Sequence, residues 1–255
     1  MAAVPLTRRT VLALALAAAC SPARSRTSGP ASPARPGSGT SHGTGPTPAV
    51  AGPAVEISHG PRTAAGVALT FHGAGDPKLA AALLDEVARA GARVTVLAVG
   101  RWLEAYPAMA RRILDGGHEL GNHTLTHPSL RRLGAAACYG EIAGCGRVLR
   151  KLTGTSGRWF RPSGTPHTTP LISAAAGRAG YRTSLSYDVD PRDYADPGAA
   201  AVRDRTLAAV RRGSIVSLHL GHPGTVAALP AILDGLRGRG WRALTVSGLL
   251  DDGHP

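Results

Sequence analysis

Aromatic side chains are scarce in this sequence of 255 residues, where phenylalanine, tryptophan and tyrosine together make up 4%. Three signature motifs are missing as well. There is no G-x-S-x-G, no phosphate-binding P-loop and no G-x-G-x-x-G. The serine-hydrolase, nucleotide-binding and dinucleotide-binding classes therefore lack the motifs on which their chemistry depends.

The apolar stretch near the start, residues 11–19, is too short to span a bilayer, which takes about 20 apolar residues. It follows the pair Arg8 and Arg9 and ends at Cys20, a pattern typical of an export signal. The small residues before Cys20 resemble a bacterial lipobox, in which the cysteine is lipidated and becomes the mature N-terminus. Because Ala17 stands where that box usually has leucine, plain export with cleavage nearby is the alternative.

Acidic residues are absent from the first 55 positions. Residues 21–55 are rich in proline, serine and glycine and show no apolar periodicity, so they cannot bury a core. We therefore predict an export signal at 1–20, a disordered tether at 21–55 and a folded domain at 56–255.

Lysine is nearly absent too, since only Lys78 and Lys151 contribute to the 29 basic residues behind the net charge of +13. This excess of positive charge predicts either a solvated basic surface or attraction to anionic polymers of the cell envelope. A nucleic-acid partner is not expected for an exported chain with so few aromatic residues.

Cysteine is limited to three residues, of which Cys138 and Cys145 lie beyond the leader. Both fall in one predicted helix, seven positions apart, so their Cα atoms are separated by about 10.5 Å. A disulfide needs a separation below about 7 Å. We expect two reduced cysteines in the core.

Short β-branched runs alternate with Ala- and Leu-rich helical runs from residue 66 onwards. The first helix is expected to start at Asp76, an N-cap followed by Pro77. The predicted strands lie at 67–71, 93–99, 119–124, 158–162, 181–189, 213–220 and 242–246. Seven such repeats predict an α/β fold, a deformed TIM-like (β/α) barrel with about seven parallel strands and its chemistry at their C-terminal ends.

Polar residues at these strand ends are the candidates for a site. They are His72, His123, His127, Arg161, Asp188, Asp190, Asp193 and His219. His123 and His127 are four residues apart, and on a helical turn this spacing places both imidazoles on one side, where they can share a cation. His118-Glu119 with His123 is not the zincin motif, because the gap is one residue too long.

Several stretches together resemble the polysaccharide deacetylase family, the NodB homology domain of carbohydrate esterase family four. They are "ALTF", "HELGNHTLTHP", "FRP", "DVDPRDY" and "GSIVSLHL", in the family's order over residues 66–250. The resemblance implies removal of acetyl groups from sugars such as chitin, peptidoglycan or xylan. It also implies a divalent metal, usually zinc, held by one Asp and two His, with a second Asp as the base.

By position, His123 and His127 match the family's metal-binding histidines, and His219 matches its general acid. Asp193 matches the carboxylate that orients that acid, and Arg161 matches the arginine that positions the base. Tyr194 replaces the usual tryptophan. Gly164 replaces the tyrosine whose backbone N–H serves the oxyanion hole, a change that a backbone donor tolerates.

The first family motif, T-F-D-D-G, is replaced here by Thr70-Phe71-His72-Gly73-Ala74. The base position holds His72, and the metal position holds Gly73, which has no side chain to offer. Because an imidazole reaches further than a carboxylate, we hypothesise a three-histidine metal site of His72, His123 and His127. A nearby Arg161 is expected to lower the pKa of His72 and favour its neutral, metal-binding form.

The general base is then unassigned. Asp76 is the nearest carboxylate in sequence, although its position before Pro77 favours a helix cap. His219 serving as both base and acid is the other option. Asp188 and Asp190 are interpreted as loop carboxylates in an Asx-type turn before Pro191.

The sequence therefore predicts an exported, metal-dependent carbohydrate deacetylase. We expect it to be lipid-anchored on the outer face of the cytoplasmic membrane and to act on an acetylated cell-wall or extracellular glycan. The alternative is a catalytically impaired glycan-binding module on the same fold. A structural envelope lipoprotein, which would bind neither metal nor sugar, is a third possibility.

Overall fold

The computed structural model describes residues 52–252. The predicted export signal and the predicted tether up to residue 51 lie outside this range, so export and lipidation stay predictions. The first strand begins at Val55, the last residue of the predicted tether, and Ala54 before it is buried. Between residues 52 and 252, no helix combines the length and the apolar character that crossing a membrane requires.

The described part contains seven strands and eight α-helices. The strands are β1 (Val55–Ile57), β2 (Gly66–Gly73), β3 (Thr95–Ala98), β4 (Glu119–Asn122), β5 (Thr183–Leu185), β6 (Ile215–His219) and β7 (Arg242–Leu244). The helices are α1 (Pro77–Arg89), α2 (Gly100–Ala105), α3 (Ala108–Asp115), α4 (Ala135–Thr153), α5 (Pro170–Arg178), α6 (Ala199–Ala209), α7 (Pro223–Gly238) and α8 (Val246–Asp251). The predicted α/β class is confirmed.

The strands form a deformed, parallel barrel, as predicted. One sheet has the order β4-β3-β2-β6 with β7 also paired to β2, and a second consists of β1 and β5. Every ladder between these strands is parallel. Single bridges close the ring, from Asn122 to Phe160, from Phe160 to Ser184, and from Val189 to Val216.

The predicted number of strands is right, but the set differs in two places. β1 was not expected, and the strand predicted at 158–162 is reduced to bridges made by Phe160. Gly157 before it has a left-handed φ of +78°, and Pro162 after it has no N–H to continue a ladder. Gly157 and Pro162 therefore limit the length of chain around Phe160 that can pair with the neighbouring strands.

The helical segments follow the sequence pattern closely. Asp76 caps α1 by accepting a hydrogen bond from the Lys78 N–H at 2.8 Å, as predicted. Cys138 and Cys145 are both buried in α4, and both are free thiols. This confirms the prediction of two reduced core cysteines on one helix. Burial raises the pKa of Cys145 to about 12, so this thiol is inert at neutral pH.

Strand alternation decides which residues reach the interior of the barrel. In β2, Leu69 and Phe71 face the outer helices and join their core, whereas Ala68 joins the inner core with Ile215 of β6. Because neighbouring side chains of a strand point to opposite faces, His72 lies in the same interior row as Ala68. β2 therefore delivers His72 to the C-terminal mouth of the barrel.

Candidate functional site

His72 is held in place by strands on both sides. It pairs in register with Leu97 of β3 and with His219 of β6. Its side chain lies at the C-terminal end of the interior row, and its Nε2 is buried with no hydrogen-bond partner. A buried ring nitrogen without a partner is costly unless a ligand, an ion or a water satisfies it.

His219 ends β6 and forms a dyad with Asp193, which lies in the short 3₁₀ turn Asp193–Ala195. Its Nδ1 lies 2.7 Å from Asp193 Oδ1, and its backbone N–H donates to Asp193 Oδ2 at 2.8 Å. The hydroxyl of Thr225 on α7 donates to the same Oδ2 at 2.6 Å. Three donors therefore fix a fully buried carboxylate in one orientation.

His123 and His127 lie in a loop after β4, not on the helical turn expected from their spacing. Thr124 and His127 have left-handed φ angles of +69° and +62°, and this loop still brings the two rings to a centroid distance of 4.8 Å. The Thr124 N–H donates to the side-chain oxygen of Asn122 at 2.8 Å. This local hydrogen bond competes with helix formation, which explains the wrong prediction.

The tautomer of His123 follows from its neighbours. Its Nδ1 lies 3.0 Å from the carbonyl oxygen of Arg161, which can only accept, so Nδ1 carries the proton. Its Nε2 then has a free lone pair, and this atom is buried without a partner. A ring fixed in this way through one nitrogen is typical of histidines that bind a metal through the other.

The four histidines form one cluster around a cavity of about 480 Å³. The ring of His72 lies 4.2 Å from that of His123 and 4.4 Å from that of His219, measured between centroids. We call this space the mouth cavity; its walls are His72, Ala74, His123, His127, Gly164, Thr165, Pro166, Tyr187, Asp190, Tyr194, Ser217 and His219. The predicted site histidines are thus brought together.

Burial keeps the inner histidines neutral. It is the largest cause that lowers the pKa of His72 well below 6.5, and the charges of His123 and Arg161 lower it further. Burial likewise lowers the pKa of His123, whereas the hydrogen bond to the Arg161 carbonyl acts to raise it. The expected influence of Arg161 on His72 is confirmed in direction, although burial outweighs it.

Arg161 is buried beside the mouth cavity, in contact with the lining residue Tyr187. Its Nε donates to the Leu185 carbonyl at 3.0 Å and its Nη2 to the Ser186 carbonyl at 3.1 Å, while Nη1 has no partner. Burial lowers its pKa to about 9, so the guanidinium remains charged at neutral pH. The guanidinium also lies over the ring of Tyr187, 5.3 Å from its centroid.

Gly73 faces away from the mouth cavity. Its register partner is Ala98, which belongs with Val96 to the core under the outer helices. A Cβ at position 73 would lie 2.9 Å from Val96 Cγ1 and 3.0 Å from both Cα and Cβ of Ala98. On this backbone, a side chain at 73 would therefore point into packed core instead of the cluster of histidines.

Gly164 lines the mouth cavity in a conformation that requires glycine. Its φ is +65°, and a Cβ would lie 2.7 Å from the Cα of Ser129. A tyrosine at this position would need a different backbone path. The small residue leaves this wall of the cavity open.

The remaining acidic candidates have separate roles. Asp188 accepts hydrogen bonds from Ser214 Oγ at 3.0 Å and from the Ile215 N–H at 2.9 Å, so it ties the chain after β5 to β6 and forms no Asx turn. Asp190 does form the expected Asx turn, since the Arg192 N–H donates to its Oδ1 at 2.8 Å. Asp76 is occupied as the cap of α1.

Sequence reasoning missed a second histidine–aspartate pair beside the dyad. His222 Nδ1 lies 2.8 Å from Asp196 Oδ1, and the His222 ring lies 5.7 Å from that of His219. The separation of 26 residues is the same in His219–Asp193 and His222–Asp196, and this repeated spacing was the available signal. The second pair fastens the loop of Asp193 to the start of α7.

The donor set meets the requirements of a divalent metal in its chemistry but only partly in its geometry. Imidazole nitrogen is a preferred ligand of zinc, and two buried Nε2 atoms lack partners, so the chemistry fits. The geometry fits only in part, because between residues 52 and 252 no three His, Cys, Asp or Glu side chains are arranged to hold a metal ion. His127 is the exposed member of the proposed three.

Comparisons with known proteins agree with the fold. The family model described as polysaccharide deacetylase matches residues 59–184. The peptidoglycan-N-acetylglucosamine deacetylase of Bacillus cereus is 32% identical over 192 residues, which cover 74% of this chain and 89% of the relative. The chitooligosaccharide deacetylase of Sinorhizobium fredii is 34% identical over 200 residues, 71% of this chain and 91% of the relative.

Two solved structures have the same architecture. A peptidoglycan N-acetylglucosamine deacetylase is 26% identical with a TM-score of 0.70, and the match covers 77% of this chain and 92% of that one. A pseudoenzyme of carbohydrate esterase family four from Bacillus anthracis is 23% identical with a TM-score of 0.72. That match covers 78% of this chain and 69% of the pseudoenzyme, and at this identity it supports the fold alone.

Proposed function

Since the chain belongs to the polysaccharide deacetylase family, we propose that it is a metal-dependent hydrolase acting on an acetylated amino-sugar polysaccharide of the cell envelope. The bond broken is a carbon–nitrogen bond other than a peptide bond. The names of the two relatives, which refer to peptidoglycan and to chitooligosaccharides, support this substrate class.

The dyad of His219 and Asp193 is the observation that carries the proposal. Asp193 is buried and receives three hydrogen bonds, an arrangement that a sugar-binding surface does not need. With its Nδ1 bonded to Asp193, His219 has its Nε2 available to pass a proton to the departing nitrogen of the sugar when the ring is protonated. Asp193 fixes the ring and stabilises its protonated form during the transfer.

His72, His123 and His127 are the residues that would hold the metal. When bound, a divalent metal such as zinc polarises the acetyl carbonyl and makes water more acidic. Two of the three imidazoles already present unpartnered Nε2 atoms. His127, whose ring lies 4.8 Å from that of His123 between centroids, would supply the third nitrogen ligand.

Two further elements of the cavity have roles in the proposed reaction. Gly164 offers a backbone N–H to the developing oxyanion, with no side chain in the way. Arg161 contributes a buried positive charge beneath the reacting groups.

The proposal includes the location of the protein. Residues 1–20 would direct export and Cys20 would carry a lipid, so that residues 21–55 hold the domain outside the cytoplasmic membrane. The membrane is a partner through this anchor only.

The deciding experiment measures metal and turnover together. The full chain, produced without a chelating tag, is compared with His72→Ala and with His59→Ala, whose histidine lies outside the mouth cavity. We expect about one zinc per chain and acetate release from acetylated chitooligosaccharides for the parent and for His59→Ala. His72→Ala should lose most of both. A parent that binds no zinc when zinc is supplied contradicts the proposal.

A glycan-binding module is the second candidate, and Gly73 favours it. The metal ligand that the family places at this position has no counterpart here, and its space is filled by Val96 and Ala98. Such a module would bind chitooligosaccharides with the same affinity in the presence and absence of zinc, and it would release no acetate.

A further inference from the structure

The proposed reaction lacks a base, because the family's first-motif carboxylates are replaced by His72 and Gly73. We propose that Asp190 is the general base of this site. The inference rests on the proposed function, since a base has a role only if the site turns over.

The position of Asp190 in the mouth cavity supports this role. Among the residues that line the mouth cavity in the described part of the chain, Asp190 is the only carboxylate. Val189 before it is buried in the outer core and pairs with Val216, whereas Asp190 lines the mouth cavity together with Ser217. Ser217 lies two residues before His219 on the same face of β6.

The hydrogen bonding of the Asp190 carboxylate also supports this role. Its Oδ1 accepts the Arg192 N–H at 2.8 Å and is thereby oriented. In the described chain, its Oδ2 has no assigned donor and can accept a proton from water. The other nearby carboxylates are occupied, since Asp193 accepts from three donors and Asp188 from Ser214, Ile215 and Arg62.

The unpartnered guanidinium nitrogen of Arg161 is a further feature that supports a base at Asp190. The resemblance assigns it to positioning the base, yet residue 72 is an imidazole, and Arg161 Nη1 is buried without a partner. The Arg161 guanidinium lies over the ring of Tyr187, 5.3 Å from its centroid, and Tyr187 lines the mouth cavity together with Asp190. The carboxylate of the mouth cavity that can take the place of the family's base beside Arg161 is therefore Asp190.

The step balances without a further reactant. Water gives one proton to Asp190 Oδ2 while its oxygen forms the new bond to the acetyl carbon. The carbon–nitrogen bond then breaks, and the nitrogen takes the proton of His219. Asp190 returns its proton to solvent and His219 regains one, so that each turnover consumes one water and yields an amine and acetic acid, which ionises to acetate and a proton.

The test compares Asp190→Asn with Asp204→Asn, which changes an exposed carboxylate on α6. Asparagine keeps the oxygen that accepts from Arg192, so the turn is preserved. We expect kcat for acetate release from N-acetylated chitooligosaccharides to fall by about 10²- to 10⁴-fold in Asp190→Asn, with the calorimetric Kd for the oligosaccharide within twofold of the parent. Asp204→Asn should match the parent in both.

A second variant separates base catalysis from loop structure. Asp190→Ala should regain part of its activity when formate is added, because a small carboxylate can occupy the vacated place, whereas a purely structural defect would not respond. An active parent with an Asp190→Asn kcat within threefold overturns the assignment of Asp190 alone. A parent that releases no acetate overturns the proposed function, and the base with it.

Discussion

His72 and His219 are register partners on adjacent parallel strands, and their rings meet edge to face with centroids 4.4 Å apart. The residue in the family's base position thus lies directly beside the candidate proton donor. Because β2 continues through Gly73, the next residue turns to the outer core. The strand register therefore places position 72 in the site and position 73 outside it.

Restoring an aspartate at position 73 is predicted to damage the protein without rebuilding the family's metal site. In Gly73→Asp the new Cβ meets Val96 and Ala98 at 3.0 Å or less, and a carboxylate is forced into apolar packing. Overpacking of this kind costs about 1–3 kcal/mol, and burial of the carboxylate adds to it. Urea denaturation should show the loss, and zinc content should not rise.

Gly134→Asp is the matched control for this prediction. The same substitution is made at the N-cap of α4, where φ is −73° and nothing lies within 4 Å of a new Cβ. Aspartate is a good N-cap, so stability should be unchanged or raised. A stable Gly73→Asp variant with increased zinc affinity would mean that β2 ends earlier than the structure has it.

Removing the charge of Asp193 is predicted to abolish most turnover. Asp193→Asn places an amide where His219 Nδ1 and two further donors now find carboxylate oxygens. The ring loses its fixed orientation and the charge that stabilises its protonated form. We expect acetate release to fall by about 10²- to 10⁴-fold.

Thr225→Val tests whether that loss comes from the dyad. It removes one donor to Asp193 Oδ2 and leaves the contact with His219 intact. A loss below tenfold is expected. If Thr225→Val were as inactive as Asp193→Asn, the order of the loop, and not the charge beside the imidazole, would control the rate.

Much of this architecture could be predicted because its signals are local. The cap at Asp76 and the buried run of β2 depend on neighbouring residues, and both were correct. The helix expected at His123 was wrong, since the side chain of Asn122 bonds to the backbone two residues on. The i, i+4 spacing alone does not distinguish a helical turn from a loop with left-handed residues.

The face of the barrel to which a side chain points could not be predicted from the sequence. Whether position 73 faces the mouth cavity depends on how far β2 continues beside β3, which is a tertiary property. The same is true of Asp190, which was correctly assigned to an Asx turn but not to the cavity wall. Val189, directly before it, pairs with a distant strand, which the local sequence does not reveal.

Asn122 is predicted to position the loop that carries His123 and His127. Its side-chain nitrogen donates to the Ile142 carbonyl and to the Tyr181 hydroxyl oxygen, both at 2.8 Å, while its oxygen holds the Thr124 N–H. Asn122→Ala leaves these buried groups unpaired, which costs about 1–3 kcal/mol. Zinc affinity should fall by about 10- to 100-fold, as for other residues that orient a ligand.

Tyr181→Phe is the control for Asn122. It removes the hydroxyl group that Asn122 and the Ser156 carbonyl contact, but it leaves the bond to Thr124 in place. Stability should fall, and zinc affinity should stay within about threefold of the parent. Equal losses of zinc affinity in both variants would locate the effect in general stability.

Glu56 is predicted to make stability depend on pH through the wall of the mouth cavity. Its carboxylate contacts His167 at 2.9 Å and Thr168 Oγ1 at 3.0 Å, and it thereby ties β1 to the segment that includes Thr165 and Pro166. Burial alone would raise the pKa of Glu56, but the hydrogen bonds from Thr168 and His167 outweigh it and lower the pKa below 4.5.

The sign of the effect follows from this lowered pKa. Above about pH 5.5 Glu56 is ionised in both the folded and the unfolded state, so its full contribution of about 1 kcal/mol is present. As the pH falls through the lowered pKa, the folded state takes up the proton and the contribution is lost. The difference in unfolding free energy between the parent and Glu56→Gln should therefore shrink as the pH falls below 4.5. A gap that widened in acid would contradict the role of Glu56.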